Sequence, residues 1–178
     1  MRIISGKYKG RHFDIPRNFK ARPTTDFAKE NLFNILNNLV DFEQCDVLDL
    51  FAGTGSVSYE FASRGVKSVT SVEINAVHHN FIRTTARSLG ADNIFAVKAN
   101  VFLYLRSCPK SFDIVFSDAP YDLEGLDQVV DMVLDEKILK DDGIFIFEHS
   151  DKYNFENHSY FWQSRSYGSV QFSFFKKV

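Results

Sequence analysis

Four adjacent residues, Asp118-Ala119-Pro120-Tyr121, close the apolar run Phe112-Asp113-Ile114-Val115-Phe116 and bring together an acceptor side chain, a proline-fixed turn and an aromatic ring. Such a set can hold a flat heterocycle by its exocyclic amino group. The carboxylate accepts from an N–H, the proline keeps the residue before it extended, and the ring offers a stacking face. A second element lies upstream in a similar setting. Val47-Leu48-Asp49-Leu50-Phe51-Ala52-Gly53-Thr54-Gly55-Ser56 ends an apolar strand at Asp49 and turns on two glycines, whose bare backbone can approach a ligand closely. Two cofactor classes use this device, dinucleotides and S-adenosylmethionine. The dinucleotide fingerprint G-x-G-x-x-G needs a third glycine, and here that slot holds Ser58. Eighteen residues after Gly55, Glu73 ends the next strand, where a carboxylate can accept from the ribose hydroxyls of either cofactor. Asn100 follows the third strand, placed either to meet an adenine amino group or to cap a helix.

The elements that must carry these residues follow from periodicity. Pro23-Thr24-Thr25-Asp26 reads as a helix start, and Ala28, Leu32, Ile35, Leu36 and Leu39 put one apolar face on a helix over 25–39. Strands are expected at 46–51, 67–73, 94–98, 112–117 and 144–148. Between them fall helices from Ser56 to just before Gly65, over 76–89 between Asn75 and Gly90, near 101–107 and over about 125–138. Two aromatic-rich runs, 158–165 and 169–176, flank Gly168 as a closing hairpin. Strand–helix alternation of this kind builds a mostly parallel α/β sheet with helices on both faces, and ligands bind beyond the strand C-termini. Both motifs sit at such ends.

A chain of 178 residues can bury its own core as one domain, and most of its 19 phenylalanines belong there. Charge is distributed unevenly. Residues 1–22 carry Arg2, Lys7, Lys9, Arg11, Arg17, Lys20 and Arg22 against Asp14 alone, an excess of six, which leaves −8 on the rest of a chain of net charge −2. Such a segment is either a basic arm for a phosphate backbone or a solvated terminus. Two cysteines, Cys45 and Cys108, make neither a disulfide framework nor a metal cluster. No apolar run reaches the ~18–20 residues that cross a bilayer, so a cytoplasmic protein with no membrane partner is expected. His78 and His79 read as surface residues of a helix, and His149 is given no role.

The residues resemble a family. Asp49-Leu50-Phe51-Ala52-Gly53-Thr54-Gly55 is similar to the first motif of class I S-adenosylmethionine-dependent methyltransferases, and Asp118-Ala119-Pro120-Tyr121 to the (D/N)-P-P-(Y/F) motif of those that methylate exocyclic amines. Arg2-Ile3-Ile4-Ser5-Gly6-Lys7-Tyr8-Lys9-Gly10-Arg11, with Arg22-Pro23-Thr24-Thr25 running into Leu32-Phe33-Asn34-Ile35-Leu36, resembles the N-terminus of the bacterial 16S rRNA guanine-N2 methyltransferase family. The resemblance spans nearly the whole chain. It implies a Rossmann-like sheet of seven strands with the last antiparallel, a basic N-terminal arm over 1–24 packed on a methyltransferase domain over 25–178, and S-adenosylmethionine as cofactor. It implies donor contacts from Asp49, Phe51, Ala52, Gly53, Thr54, Gly55, Glu73, Ile74, Asn100 and Val101. Catalysis would fall to Asp118, Ala119, Pro120 and Tyr121, without a metal, and RNA phosphates to Arg2, Lys7, Lys9, Arg11 and Arg22. The expected partner is small-subunit rRNA or an assembling 30S particle, bound by a monomer. Two residues depart from the family pattern: Ala119 replaces a usual proline, and Asn100 a frequent aspartate. The alternatives are a DNA adenine-N6 or cytosine-N4 methyltransferase, a nicotinamide dehydrogenase, and a non-catalytic RNA-binding module on the same fold.

Overall fold

A computed structural model describes residues 1–19, 24–135 and 137–177. Among these residues lie seven strands and five α-helices: α1 (Asp26–Leu36), β1 (Asp46–Leu50), α2 (Ser56–Ser63), β2 (Ser68–Glu73), α3 (Ala76–Leu89), β3 (Ile94–Lys98), α4 (Val101–Ser107), β4 (Phe112–Asp118), α5 (Leu126–Asp135), β5 (Leu139–His149), β6 (Phe161–Tyr167) and β7 (Val170–Lys176). They form one sheet in the order β3-β2-β1-β4-β5-β7-β6, as the alternation predicts. β1 through β5 pair in parallel, while β7 enters antiparallel between β5 and β6.

β1 is buried at every position because helices cover both faces of a parallel sheet. One face packs Val47, Ile114, Phe116 and Phe174 against Leu32 and Phe33 of α1, Phe61 of α2 and the N-terminal residues Ile3 and Tyr8. The other packs Leu48, Leu50, Val115 and Phe145 against Leu105 of α4 and Val129, Val130 and Val133 of α5. Nine of the 19 phenylalanines are fully buried and six more pack partly buried against the core, while Phe27 and Phe95 are exposed. No helix of the described residues is long and apolar enough to cross a membrane.

Helix boundaries follow the local chemistry. The Asn75 side chain accepts from the amides of Val77 and His78, and Gly90 ends α3 in the left-handed conformation at φ 67°. Thr25 caps α1, which stops at Leu36, short of the expected Leu39. β5 begins five residues before the expected Ile144, because Leu139 pairs with Phe112 ahead of an irregularity.

The N-terminal segment forms turns and no strand among its described residues. Its only bridge is Arg2 with His12, among the described residues. α2 holds it instead. The Lys7 amide donates to the Ser63 carbonyl at 2.7 Å, the Tyr8 amide to Ser63 Oγ at 2.9 Å, and the Ile4 amide to Glu60 Oε1 at 2.6 Å. Gly6 fits only as glycine. Its φ is +84°, and a Cβ there would lie 2.0 Å from the Ser63 carbonyl oxygen.

Candidate active site

β1 pairs with β2 on one side and with β4 on the other, so the chain reverses its winding direction between β1 and β4. A crevice opens beyond the strand ends at such a point. The glycine loop leaves β1 there and the Asp118–Tyr121 loop leaves β4, which brings the two predicted motifs together.

The glycine loop is held by its neighbours. Phe51, Gly53 and Gly55 all have positive φ, at 58°, 55° and 78°. The Gly55 amide donates to the Ala52 carbonyl at 2.7 Å, and the Ala52 amide to Val72 of β2 at 3.0 Å. Tyr59 Oη donates to the carbonyl of the buried Thr54 at 2.9 Å. A Cβ on Gly55 would stand 2.6 Å from that same hydroxyl, so the second glycine is required by protein packing as well as by backbone conformation. Ser58, in the slot of the missing third glycine, donates to Asp49 Oδ2 at 2.5 Å and lies 2.6 Å from Ser71 Oγ. Sequence reasoning counted Ser58 only as an absence. It is the residue that orients Asp49.

Glu73 ends β2 and is almost fully buried. Its Oε2 accepts from the Gly53 amide at 2.8 Å, and its Oε1 from the Asn75 amide at 2.7 Å. It therefore ties the loop to α3 and keeps a second lone pair on each oxygen for a ligand. Asn100 caps α4, its Oδ1 accepting from the Leu103 amide at 3.2 Å. That oxygen is engaged, which leaves the Nδ2 amide as a donor suited to a ring nitrogen better than to an amino group. Ile74 is exposed and Val101 buried, at the ends of β2 and the start of α4.

Across the crevice, Asp118 ends β4 beside Glu148 of β5, its direct register partner. Ala119 is buried, Pro120 is exposed, and Tyr121 turns 46% of its surface to solvent. The carboxyls of this end of the sheet share an environment. Burial pushes Asp49 up to about 7, with Asp118 and Glu73 adding to the shift against the Ser58 hydrogen bond. Burial likewise holds Asp118 at about 7, and burial with the Asp118 charge holds Glu148 at about 9. No lysine or arginine figures among the groups that shift these three. The Tyr121 phenol is raised to about 12 by burial and then by Glu148 and Asp118.

The basic residues separate along the arm. Arg2 pairs with Asp26 at 3.2 Å and lines a cavity of about 600 Å³ with Met1, His12, Thr24, Thr25, Asp26 and Ser56, at the end of α2 that adjoins the glycine loop. Lys7 and Lys9 lie around the turn that docks on Ser63, at the opposite end of α2, and Arg11 on the returning limb is exposed. Arg22 lies outside the described residues. His78 corrects the surface placement expected from its helix. It is buried because Phe19 of the arm stacks on its ring at 4.3 Å, and its Nδ1 stands 3.9 Å from Glu73. His149 is also buried, hydrogen-bonded to Ser173 Oγ at 2.8 Å, and as the next strand residue projects to the sheet face opposite Glu148.

A seven-stranded sheet with this order, and a glycine loop facing an Asp-Ala-Pro-Tyr loop across its switch point, define a Rossmann-like class I methyltransferase fold. The family described as Conserved hypothetical protein 95 matches residues 1–176. The "Ribosomal RNA small subunit methyltransferase D" of Escherichia coli K12 is 34% identical over 149 residues, which cover 83% of this chain and 74% of that protein. A protein of the same name from Buchnera aphidicola (Baizongia pistaciae) is 31% identical over 86% of this chain and 78% of its own. Among solved structures, the "Putative methyltransferase yhhF from Escherichia coli" superposes with a TM-score of 0.86 at 25% identity, over 100% of this chain and 99% of that one. The chain belongs to this family of ribosomal RNA methyltransferases, as its sequence resemblance implied.

Proposed function

We propose that this chain transfers a methyl group from S-adenosylmethionine to the exocyclic N2 amine of a guanine in small-subunit rRNA. The observation that carries the reading is the convergence of Asp49 and Asp118, from the two predicted motifs, at one switch point, near enough for the Asp118 charge to add to the raised pKa of Asp49. The residues fit the donor. Buried carboxyls with no cation beside them suit a ligand that carries a sulfonium and an ammonium, and Ile74 with Val101 offers apolar surface to an adenine. When bound, S-adenosylmethionine supplies a methyl already activated by its sulfonium.

The protein must then present a nucleophile. A guanine N2 lone pair is delocalised into the ring, so two acceptors aimed at its N–H bonds favour the pyramidal form that can attack. The Asp118 carboxylate and the Ala119 carbonyl take this role, with Pro120 restricting Ala119 to extended backbone. Tyr121, exposed at the mouth, stacks on the base. As the N–C bond forms and the S–C electron pair stays on sulfur, the amine becomes cationic and loses one N–H proton to Asp118, from which it passes to water. A carboxyl held at about 7 suits that transfer near neutral pH.

Tritiated-methyl transfer onto naked rRNA and onto 30S subunits, both from cells lacking this protein, tests the reading. Nucleoside mass spectrometry should find N2-methylguanosine; methyl groups on any other atom would refute it. The two substrates also separate free RNA from an assembling particle.

Donor affinity should depend on pH. Cation binding favours ionised Asp49 and Asp118, both raised to about 7. Affinity for S-adenosylmethionine should therefore rise by several-fold, up to ~10-fold, from pH 6 to pH 8. S-adenosylhomocysteine, which lacks the sulfonium charge, should show a shallower rise. Calorimetry at three pH values measures both, and parallel slopes for the two ligands would count against the assignment.

The arm offers a separate test. Deleting it would remove Ile3 and Tyr8 from the core, so charge substitutions are cleaner. Changing Lys7, Lys9 and Arg11 together to glutamine should flatten the salt dependence of RNA affinity by up to about two to three units of log–log slope if all three contact phosphates. An unchanged slope would place the phosphate grip elsewhere.

A further inference from the structure

Glu148 has no place in the chemistry derived so far, and its situation is unlike that of the other buried acids. Asp46, Asp49, Glu60 and Glu73 all accept hydrogen bonds from neighbouring protein groups. Glu148 is 4% exposed, yet its Oε2 has no hydrogen-bond partner among the described residues. Leaving a buried polar atom unpaired costs stability, so a group kept in that state calls for an explanation.

Its position suggests one. Parallel register partners project to the same face of a sheet, so Glu148 stands beside Asp118 on the face that also carries Asp49 and Glu73. The Tyr121 phenol responds to the Glu148 charge more than to that of Asp118. The two carboxyls and the ring therefore border one space, and a base stacked on Tyr121 with its amine at Asp118 would turn its adjoining edge toward Glu148.

We propose that Glu148 reads the ring lactam of the target guanine while Asp118 holds the amine. The inference rests on the guanine-N2 reading above. The chemistry is complementary in both senses. A neutral carboxyl offers one O–H donor and one C=O acceptor side by side, and the guanine lactam offers the O6 acceptor and the N1–H donor in matching order. Unstacked bases in RNA are commonly recognised on this edge. The neutral form is the one the site favours, since burial and the Asp118 charge hold Glu148 protonated up to about pH 9. A neutral Glu148 also leaves Asp118 free to ionise, so the two roles do not compete.

The test is a cycle of enzyme against substrate. RNA carrying 2-aminopurine at the target position keeps the 2-amino group and loses both O6 and N1–H. The wild-type enzyme should methylate it ~10–10²-fold less efficiently in kcat/KM than guanine, because the Glu148 carboxyl loses its matched pair of bonds and keeps at most one, from its O–H to the bare N1. Glu148→Ala should lose most of the efficiency on guanine and treat the two substrates within a few-fold of each other. Glu148→Gln, whose amide reproduces the donor–acceptor pair, should restore both the rate and the discrimination. Circular dichroism and S-adenosylhomocysteine affinity establish that each variant is folded, and a merely structural Glu148 would not couple to the identity of the base. Wild-type discrimination that survives unchanged in Glu148→Ala overturns the inference alone. A wild type that leaves guanine itself unmethylated at N2 overturns the proposed function together with it.

Discussion

Replacing Asp118 by alanine is expected to lower turnover by ~10²-fold or more while leaving S-adenosylmethionine affinity within a few-fold, because it removes support that matters most in the transition state. The same substitution should raise stability. Asp118 is held at about 7 by burial, well above an ordinary aspartate, so the folded chain resists an ionisation that the unfolded chain undergoes freely. Stability due to this group is fully present below pH ~4 and is lost as pH rises toward 7. At pH 7.5 the alanine variant should therefore melt several degrees above the wild type, and at pH 4 the difference should vanish. A dead enzyme with a higher Tm is the signature of a functional carboxyl kept at a cost to folding. Asp118→Asn separates two roles of the carboxylate. Its Oδ1 still accepts from the amine, as asparagine would in the (D/N)-P-P-(Y/F) motif, but it cannot take the proton, so turnover should fall less than in Asp118→Ala and lose the pH dependence that a group at about 7 imposes. Wild-type turnover in Asp118→Ala would remove Asp118 from the mechanism.

What could be read from the sequence was whatever local chemistry determines. β4 was announced by its apolar run over 112–116, β1 and β2 by short stretches of β-branched and apolar residues ahead of the glycine loop and Glu73, and α3 by the capping chemistry of Asn75 and Gly90. The site was legible in so far as it lies at strand ends. Glu148 carries the same signature, an acid closing the apolar run from Ile144, and could have been found by that rule. The rest depended on contacts between distant segments. No local pattern reveals that Phe19 covers His78, or that Lys140-Asp141-Asp142-Gly143, polar and turn-like, belongs to a continuing strand. The arm was readable locally only as basic, its packing on the body being an expectation from the family resemblance, and no local pattern showed how it is held, because backbone amides meet Ser63 and Glu60 in place of an alternating strand pattern.

Glu60 illustrates this best, and its substitution should have the largest effect on stability. In the sequence Ser56-Val57-Ser58-Tyr59-Glu60-Phe61 it looks like one polar position on a helix. In the fold it is fully buried. Its Oε1 accepts from the Ile4 amide at 2.6 Å and from Lys29 Nζ at 3.3 Å, its Oε2 pairs closely with Arg64, and Lys29 Nζ donates in turn to the Arg2 carbonyl at 2.7 Å. One carboxylate thus joins α1, α2 and the arm. Glu60→Ala would strand a lysine that is 1% exposed, with only the Arg2 carbonyl and a distant Asp26 left to it. Breaking such a pair from one side costs about 3–5 kcal/mol. For a domain of this size the Tm should fall by roughly 10 °C, and urea denaturation should show the matching loss in midpoint. Glu60→Ala combined with Lys29→Met should recover part of it, since the uncompensated charge disappears. The functional consequence follows from what the arm carries: Arg2 on the large cavity beside the glycine loop and Phe19 against α3. Below its lowered Tm, Glu60→Ala should raise KM for RNA more than Kd for S-adenosylmethionine. Equal losses in the two would mean that the arm supports the donor crevice as a whole; an unchanged Tm would mean that the buried network contributes nothing to holding it.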